Sequence, residues 1–397
     1  MSPRPNILWI VTTQWRAQAC GYAGDPNART PCVDALAAES VNYVQAVTPH
    51  PFGPFARAAL LTGLPSPENG IRDYYDPLPT HARTIAHALR DRGHATAFFG
   101  KWHLGPRDRN APLVGEAHAK TVVPPEGRGG FEWWEGFEGG FLLNDPFLHG
   151  TRFPEPTPFP GYQSDVLGER AQKWTKRAAP WFCVVSLEPP HPPYDAPSAG
   201  ALPRPARDIV LAPNVPRGSD AEARARKDLA GYHAHIEATD RAIGRLLNSV
   251  SREHTLVVFT SVHGDMHGAH GFFRKGWPHE ESVRIPLLIR VPGVLPRCDQ
   301  TPVSLVDLPA MTLAWADGTM PGPAARESKI SMPSVVALPH QCDRVWRGVR
   351  TPARKLVLNA DGSPWLFFDL ERDPWEMNNL AADLARAGEI AALRERT

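Results

Sequence analysis

A helix start with an empty working position is the first chemical feature of this chain. In TPHPFGPFARAALLTG (residues 48–63), Gly53-Pro54 makes a turn, Arg57-Ala58-Ala59-Leu60-Leu61 favours helix, and Thr62-Gly63 ends it. A strand-to-helix turn of this kind offers backbone N–H groups to an anion and is a common seat for nucleophiles. The residue at the turn is Gly53, which has no side chain to attack with. Four more groups of polar residues end apolar runs of strand length. They are Thr12-Thr13-Gln14 at the end of NILWIVT, Lys101-Trp102-His103 after ATAFFG, His191 after WFCVVSL, and Val262-His263 after TLVVFTS. In an open α/β sheet, ligands bind beyond the carboxyl ends of the strands, so these five distant points are expected to meet on one rim.

The elements that must position them alternate. NILWIVT (6–12), VNYVQAV (41–47), ATAFFG (95–100), WFCVVSL (181–187), TLVVFTS (255–261) and IPLLIRV (285–291) are expected strands. Helices are expected from Pro31 through VDALAAES, over 84–92, 165–178 and 220–250. The segment EPPHPPYDAP carries too many prolines for regular structure. Strands alternating with helices predict an α/β fold with a large, mostly parallel central sheet covered on both faces. From Arg347 the pattern changes to short strands and a final helix. This divides the chain into an α/β domain over 1–346 and a small antiparallel C-terminal α+β subdomain over 347–397. Asp240 and Arg284 are expected to be structural partners, and the run FEWWEGFEGG to be core and lid packing.

The 397 residues carry a formal charge of +1, so no global field recruits nucleic acid or a membrane surface. No stretch approaches a membrane span, and the N-terminus lacks the basic and apolar pattern of a secretory leader, so a cytoplasmic location is expected. The five cysteines are scattered without metal-type spacing and read as reduced thiols. With 32 glycines and 43 prolines, long turn-rich loops are expected.

The same stretches resemble the sulfatases and phosphonate monoester hydrolases of the alkaline phosphatase superfamily. NILWIVTTQWRAQACGYAG is similar to their first strand and metal loop, GPFARAALLTG to their nucleophile helix, and FFGKWHLG and EPPHPPYD to their Lys-x-His and His loops. TLVVFTSVHGDMHGAHGFFRKGWPHEESVRIPLLIRVPG resembles the second metal loop, and WLFFDLERDPWEMNNLA the C-terminal ending. The resemblance implies the sulfatase-type fold, and it also marks departures. The family's Cys or Ser, which is converted to formylglycine, falls on Gly53, and its metal-ligand Asp residues fall on Thr13 and Val262.

Gln14 and His263 are too few and too neutral for a hard divalent cation, so no metal and no cofactor is expected. His263, His267 and His270 could in principle take zinc, but HGDMHGAH is not a recognisable ligand spacing. What the resemblance leaves is a cationic, acid–base half-site. Lys101, His103, His191 and His263 are assigned to catalysis, and Arg57, Lys275, Thr13, Gln14, Gly53 and His279 to substrate binding. Such a cluster is expected to be strongly positive and to depress the pKa of its own Lys and His residues. Plain surface lysines and idle loop histidines are the alternative for Lys101, Lys275, His267, His270 and His279. Three functions stay open. They are a repurposed enzyme doing metal-independent acid–base or transfer chemistry on a small anionic substrate, an inactive protein binding an anion or partner, and an unusual sulfate or phosphate ester hydrolase. A homo-oligomer is allowed by all three.

Overall fold

Ile7 to Thr12 are each at most 1% exposed, which requires a strand covered on both faces and paired on both edges. The computed structural model, which describes residues 4–178, 180–319 and 327–397, places this strand near the middle of a ten-stranded sheet. In chain order the strands are β1 (Asn6–Thr12), β2 (Val41–Tyr43), β3 (Ala95–Lys101), β4 (Trp133–Phe137), β5 (Phe147–Gly150), β6 (Thr157–Pro158), β7 (Trp181–Ser186), β8 (Thr255–Ser261), β9 (Leu287–Arg290) and β10 (Arg297–Asp299). Their order across the sheet is β10-β2-β9-β8-β1-β7-β3-β4-β5-β6. The central run β8-β1-β7-β3-β4 is parallel, and β9 and β5 run against it. The large, mostly parallel sheet expected from the sequence is therefore present.

Alternate residues of β1 feed opposite faces, as a period of two demands. Ile7, Trp9 and Val11 pack in one core with α2 (Gly53–Thr62), α3 (Ile85–Arg90) and α8 (Leu308–Ala316). Leu8 and Ile10 pack in the other with α1 (Pro31–Ala38), α5 (Gln163–Thr175) and α6 (Asp220–Leu247). The short α4 (Glu116–Ala119) and α7 (Glu280–Val283) sit in loops.

Several boundaries differ from expectation for local reasons. β2 stops at Tyr43 because the amides of Val44 and Val47 turn to the carbonyls of Asp299 and Val303. Asp240 does act structurally: its carboxylate accepts from Cys32 N (3.1 Å) and Val33 N (2.8 Å), capping α1, whose own Thr30 makes no side-chain cap. Arg284 donates to the carbonyl of Val44 at 3.1 Å.

A second, antiparallel sheet runs β11 (Ser328–Met332), β12 (Trp346–Arg350), β13 (Arg354–Asn359) and β14 (Pro364–Asp369), with α9 (Ala387–Arg394) packed on it. The compositional change at Arg347 falls inside β12. The first strand of the small sheet lies ahead of it, separated by a long excursion over 333–345. Among the described residues no helix is long and apolar enough to cross a membrane.

The loop bearing His191 is held by α6. A Cβ at Gly231, inside that helix, would lie 1.9 Å from the carbonyl oxygen of Tyr194. Gly to Ala in a helix ordinarily stabilises by up to about 1 kcal/mol. Here Gly231→Ala is expected to destabilise by roughly 1–3 kcal/mol in denaturant unfolding, the usual cost of forcing atoms into a packed site. A gain in stability would show that the helix and loop are not in tight contact.

Candidate active site

Parallel strands deliver their following residues to one end, and the loops after β1, β3, β7 and β8 converge there on a cavity of about 590 Å³. Thr13, Gly53, Lys101, His103, His191, His263 and Lys275 all line it. The sequence-based convergence holds for these seven.

Three other expected residues lie elsewhere. Arg57 does not face the cavity. It is buried beneath it, donating to Lys101 O (3.0 Å), Ser186 Oγ (2.6 Å) and Thr13 Oγ1 (2.7 Å), so it braces strand ends and is not free to grip a ligand. Gln14 sits under the floor, accepting from Lys275 Nζ and donating to Asp265 Oδ2. His279 is carried away by α7, to whose start it belongs, and packs against His270 at a centroid distance of 4.5 Å.

The expected picture of a strongly positive cluster is also corrected, because three carboxylates that sequence reasoning passed over take up charge. Lys101, 1% exposed, forms a 2.5 Å ion pair with Glu188, itself held by Gln163. Asp265 accepts from Tyr194 OH (2.9 Å) and from the amides of His267 and Arg274 (both 3.1 Å). Burial alone would raise its pKa, but His267, Arg274 and these hydrogen bonds bring it down to about 2. Glu138 pairs with Arg107 at 3.2 Å, and burial pushes its pKa up to about 7. Glu188 lies two residues beyond the end of β7, which is the one sequence signal that could have marked it.

The histidines are neutral. Burial, reinforced by neighbouring cations, lowers His103, His191 and His263 well below the ordinary imidazole range. His103 has φ +58° and meets Tyr74 OH through Nε2 at 3.3 Å, and its Nδ1 is buried without a partner. His263 Nδ1 bonds Gly264 O at 2.8 Å, leaving Nε2 buried and unpartnered. His191 Nδ1 donates to Pro192 O (2.8 Å), so its Nε2 accepts from Lys275 Nζ at 2.9 Å. Phe141 stacks on that imidazole, centroids 4.4 Å apart and planes 4° from parallel. Lys275 is 7% exposed and, among the described residues, has no carboxylate at ion-pair distance. Burial and then Lys101 drive its pKa well below the usual lysine value.

A model of the sulfatase family matches residues 5–319. The chain belongs to the sulfatase family. It is 34% identical over 413 residues to an ulvan-active sulfatase of Formosa agariphila, covering 95% of this chain and 77% of that one. It is also 28% identical over 435 residues to a choline-sulfatase of Rhizobium meliloti, covering 95% and 82%. A putative sulfatase of Bacteroides fragilis superimposes with a TM-score of 0.87 at 24% identity, covering 100% of this chain and 95% of that one. A phosphonate monoester hydrolase of Agrobacterium radiobacter does so with a TM-score of 0.77 at 22% identity, covering 99% and 94%. These neighbours share the fold of the alkaline phosphatase superfamily expected from the motifs.

The divalent cation that the sulfatase resemblance implies does not fit the donors found here. Thr13 Oγ1 already accepts from the Arg57 guanidinium and Gln14 Oε1 from Lys275, and Val262 is a fully buried apolar side chain. Two cationic groups aim at the oxygens a metal would need. The trio His263, His267 and His270 does not assemble either. His270 groups instead with Glu281 and Glu376, none of which lines the cavity, and the Asn214 amide donates into that group at 3.1 and 2.7 Å.

Gly53 has its own reason. A Cβ there would lie 2.7 Å from His103 Nδ1 and 2.9 Å from Cε1, so the imidazole occupies the space a side chain would need.

Because Arg57 braces three acceptors, Arg57→Met should cost at least about 2 kcal/mol in urea unfolding, through buried acceptors left without donors. A variant as stable as the parent but weakened only toward anions would return Arg57 to the ligand-binding set.

Proposed function

We propose that this sulfatase-family protein binds a small anionic molecule without a divalent cation and moves protons on it with its own side chains. The observation that carries this reading is Lys275: a buried amine lining the cavity, with no carboxylate partner among the described residues. An ammonium has three N–H donors. Two go to Gln14 Oε1 and His191 Nε2, which leaves one for an anion. His103 Nδ1 and His263 Nε2 supply two further polar atoms without partners, and buried polar atoms of that kind ask for a ligand or water. A sulfate, phosphate or carboxylate group against Lys275 restores the charge balance that burial disturbs.

The proton chemistry follows from the same pair. Lys275 donates to His191 Nε2 at 2.9 Å, which fixes the amine so that its remaining proton can be given to the substrate and taken back at the same nitrogen. Lys101, tied to Glu188, holds its charge in place and serves to orient the ligand. The absent side chain at residue 53 argues against the family's covalent route, and this supports acid–base or transfer chemistry.

The named sulfatases among the relatives favour a second reading, sulfate-ester hydrolysis. In this chain it requires water as the attacking group, with neutral His103 or His263, each with a buried ring nitrogen lacking a partner, as base.

Binding is expected to be linked to proton uptake. The empty site depresses the Lys275 pKa and a bound anion raises it again, so affinity falls as pH rises through the depressed value. Sulfate should raise the melting temperature according to simple linkage, and Lys275→Met should remove that shift. Calcium and magnesium should add nothing, and elemental analysis should find far less than one ion per chain. A stoichiometric divalent ion, or a sulfate shift untouched by Lys275→Met, would overturn the proposal.

Gly53→Cys, which restores a thiol at the helix start, should not produce turnover of p-nitrophenyl sulfate, because the new Cβ meets His103 and the cation donors are missing. Steady turnover by the parent protein would instead establish the hydrolytic reading.

A further inference from the structure

Lys275 has a second use besides meeting an anion. Its amine donates to Gln14 Oε1 and to His191 Nε2, the latter at 2.9 Å. Both acceptors are neutral, since Gln14 is an amide and His191 spends its Nδ1–H on the carbonyl of Pro192. A neutral amine has two N–H bonds, and these two acceptors take both. Its lone pair then occupies the one direction left, the direction in which the ammonium would offer its third N–H. Lys275 lines the cavity, so that direction is open to a ligand. No carboxylate among the described residues lies at ion-pair distance to hold the amine charged.

The surroundings suit an uncharged amine. The centre of the Phe52 ring is 5.5 Å from Lys275 Nζ. The cavity wall is apolar, with Leu113 from the loop after β3, Phe141 from the loop after β4 and Leu338 from the excursion between β11 and β12. After burial, Lys101 is the neighbour that most lowers the Lys275 pKa. An amine in an apolar setting beside a second cation is the usual arrangement of a lysine nucleophile. Arg274, the preceding residue, lines the same cavity, and its Nη1 is buried without a partner among the described residues. A guanidinium nitrogen of this kind is a seat for a carboxylate or phosphate oxygen.

We propose that Lys275 forms an imine with an aldehyde or ketone that carries an anionic group, the anion resting on Arg274. This goes beyond the anion-binding reading, since it makes a covalent bond at the nitrogen that reading protonates. The Nζ lone pair adds to the carbonyl carbon and the carbonyl oxygen takes one amine proton, giving a carbinolamine. That oxygen then leaves as water with the second amine proton, and the C=N bond forms. The balance needs no oxidant and releases only water. His103 Nδ1 and His263 Nε2, which line the cavity on neutral rings and lack partners among the described residues, carry these protons. Once protonated, the imine draws electrons from the carbon beside it, and the same histidines can take a proton there. The apolar wall keeps bulk water from reversing the bond.

The test is reductive trapping of the intact protein at neutral pH with pyruvate and cyanoborohydride, read by peptide mass spectrometry. An ordinary lysine has only about one amine in a few thousand unprotonated near pH 7, and each unit of pKa depression adds about tenfold. Lys275 should therefore take the carboxyethyl group at least about tenfold faster than any other lysine of the chain. Arg274→Gln should slow the trapping of pyruvate by about tenfold, the effect of losing one charged hydrogen bond, and leave that of acetone unchanged. Labelling of Lys275 no faster than the other lysines overturns the imine, and anion binding stands if sulfate still raises the melting temperature. Preferred labelling of Lys275 without a sulfate shift keeps the imine and removes the anion-binding reading. If Arg274→Gln traps pyruvate as fast as the parent, the anionic class of carbonyl compound is wrong.

Discussion

A single buried guanidinium holds the site's frame together. Arg57 leaves α2 and reaches the ends of three neighbouring strands: Thr13 just after β1, Ser186 at the end of β7 and the carbonyl of Lys101 at the end of β3. Burial lowers its pKa to about 10, against the pull of Glu188 and Glu138, so it stays charged at neutral pH. A charge kept that deep needs every acceptor it has, and these acceptors are the points from which Lys101, His103 and the His191 loop depart. The position of the cavity floor therefore depends on one side chain that never touches the cavity.

Above that brace the charges are sorted. Lys101 is neutralised by Glu188, Arg107 by Glu138, and Asp265 is spent on Tyr194, Gln14 and backbone amides. The imidazoles are kept neutral by burial. Lys275 alone among these lysine and histidine side chains is left to answer an incoming charge. A site filled with unpaired cations would be costly to fold, whereas an unpaired amine with Arg274 next to it in the chain, its Nη1 also buried without a partner, directs the ligand to one place.

Much of this was legible in the sequence, and the reasons for the rest are physical. The strand ends could be read because a parallel strand buried on both faces is a continuous apolar run, and its next residues must emerge at the rim, as Thr13, Lys101, His103, His191 and His263 do. Direction along a helix was not legible. Arg57 follows the turn at Gly53 by four residues, but its helix turns it down into the sheet, and His279 is likewise removed by a four-residue helix starting beside it. Glu188, Glu138 and Asp265 were missed because a carboxylate's partner is set by tertiary approach: Lys101 and Glu188 are 87 residues apart. The cavity wall was hidden for the same reason, since Leu113, Phe141 and Leu338 sit in loops with no pattern to link them.

The placement of β1 has a consequence for how the protein is made. It is synthesised well before its neighbours β7 and β8: Ile7 pairs with Phe182 on one side and Leu256 on the other. At the usual rate of elongation, roughly ten to fifty seconds pass between the emergence of Ile7 and that of Leu256. Through that interval NILWIVT is an apolar, unpaired strand with both edges open, the kind of segment that joins a neighbouring chain as readily as its own. The feature that gives the finished site its buried central strand thus leaves the unfinished chain exposed to aggregation for as long as that interval lasts.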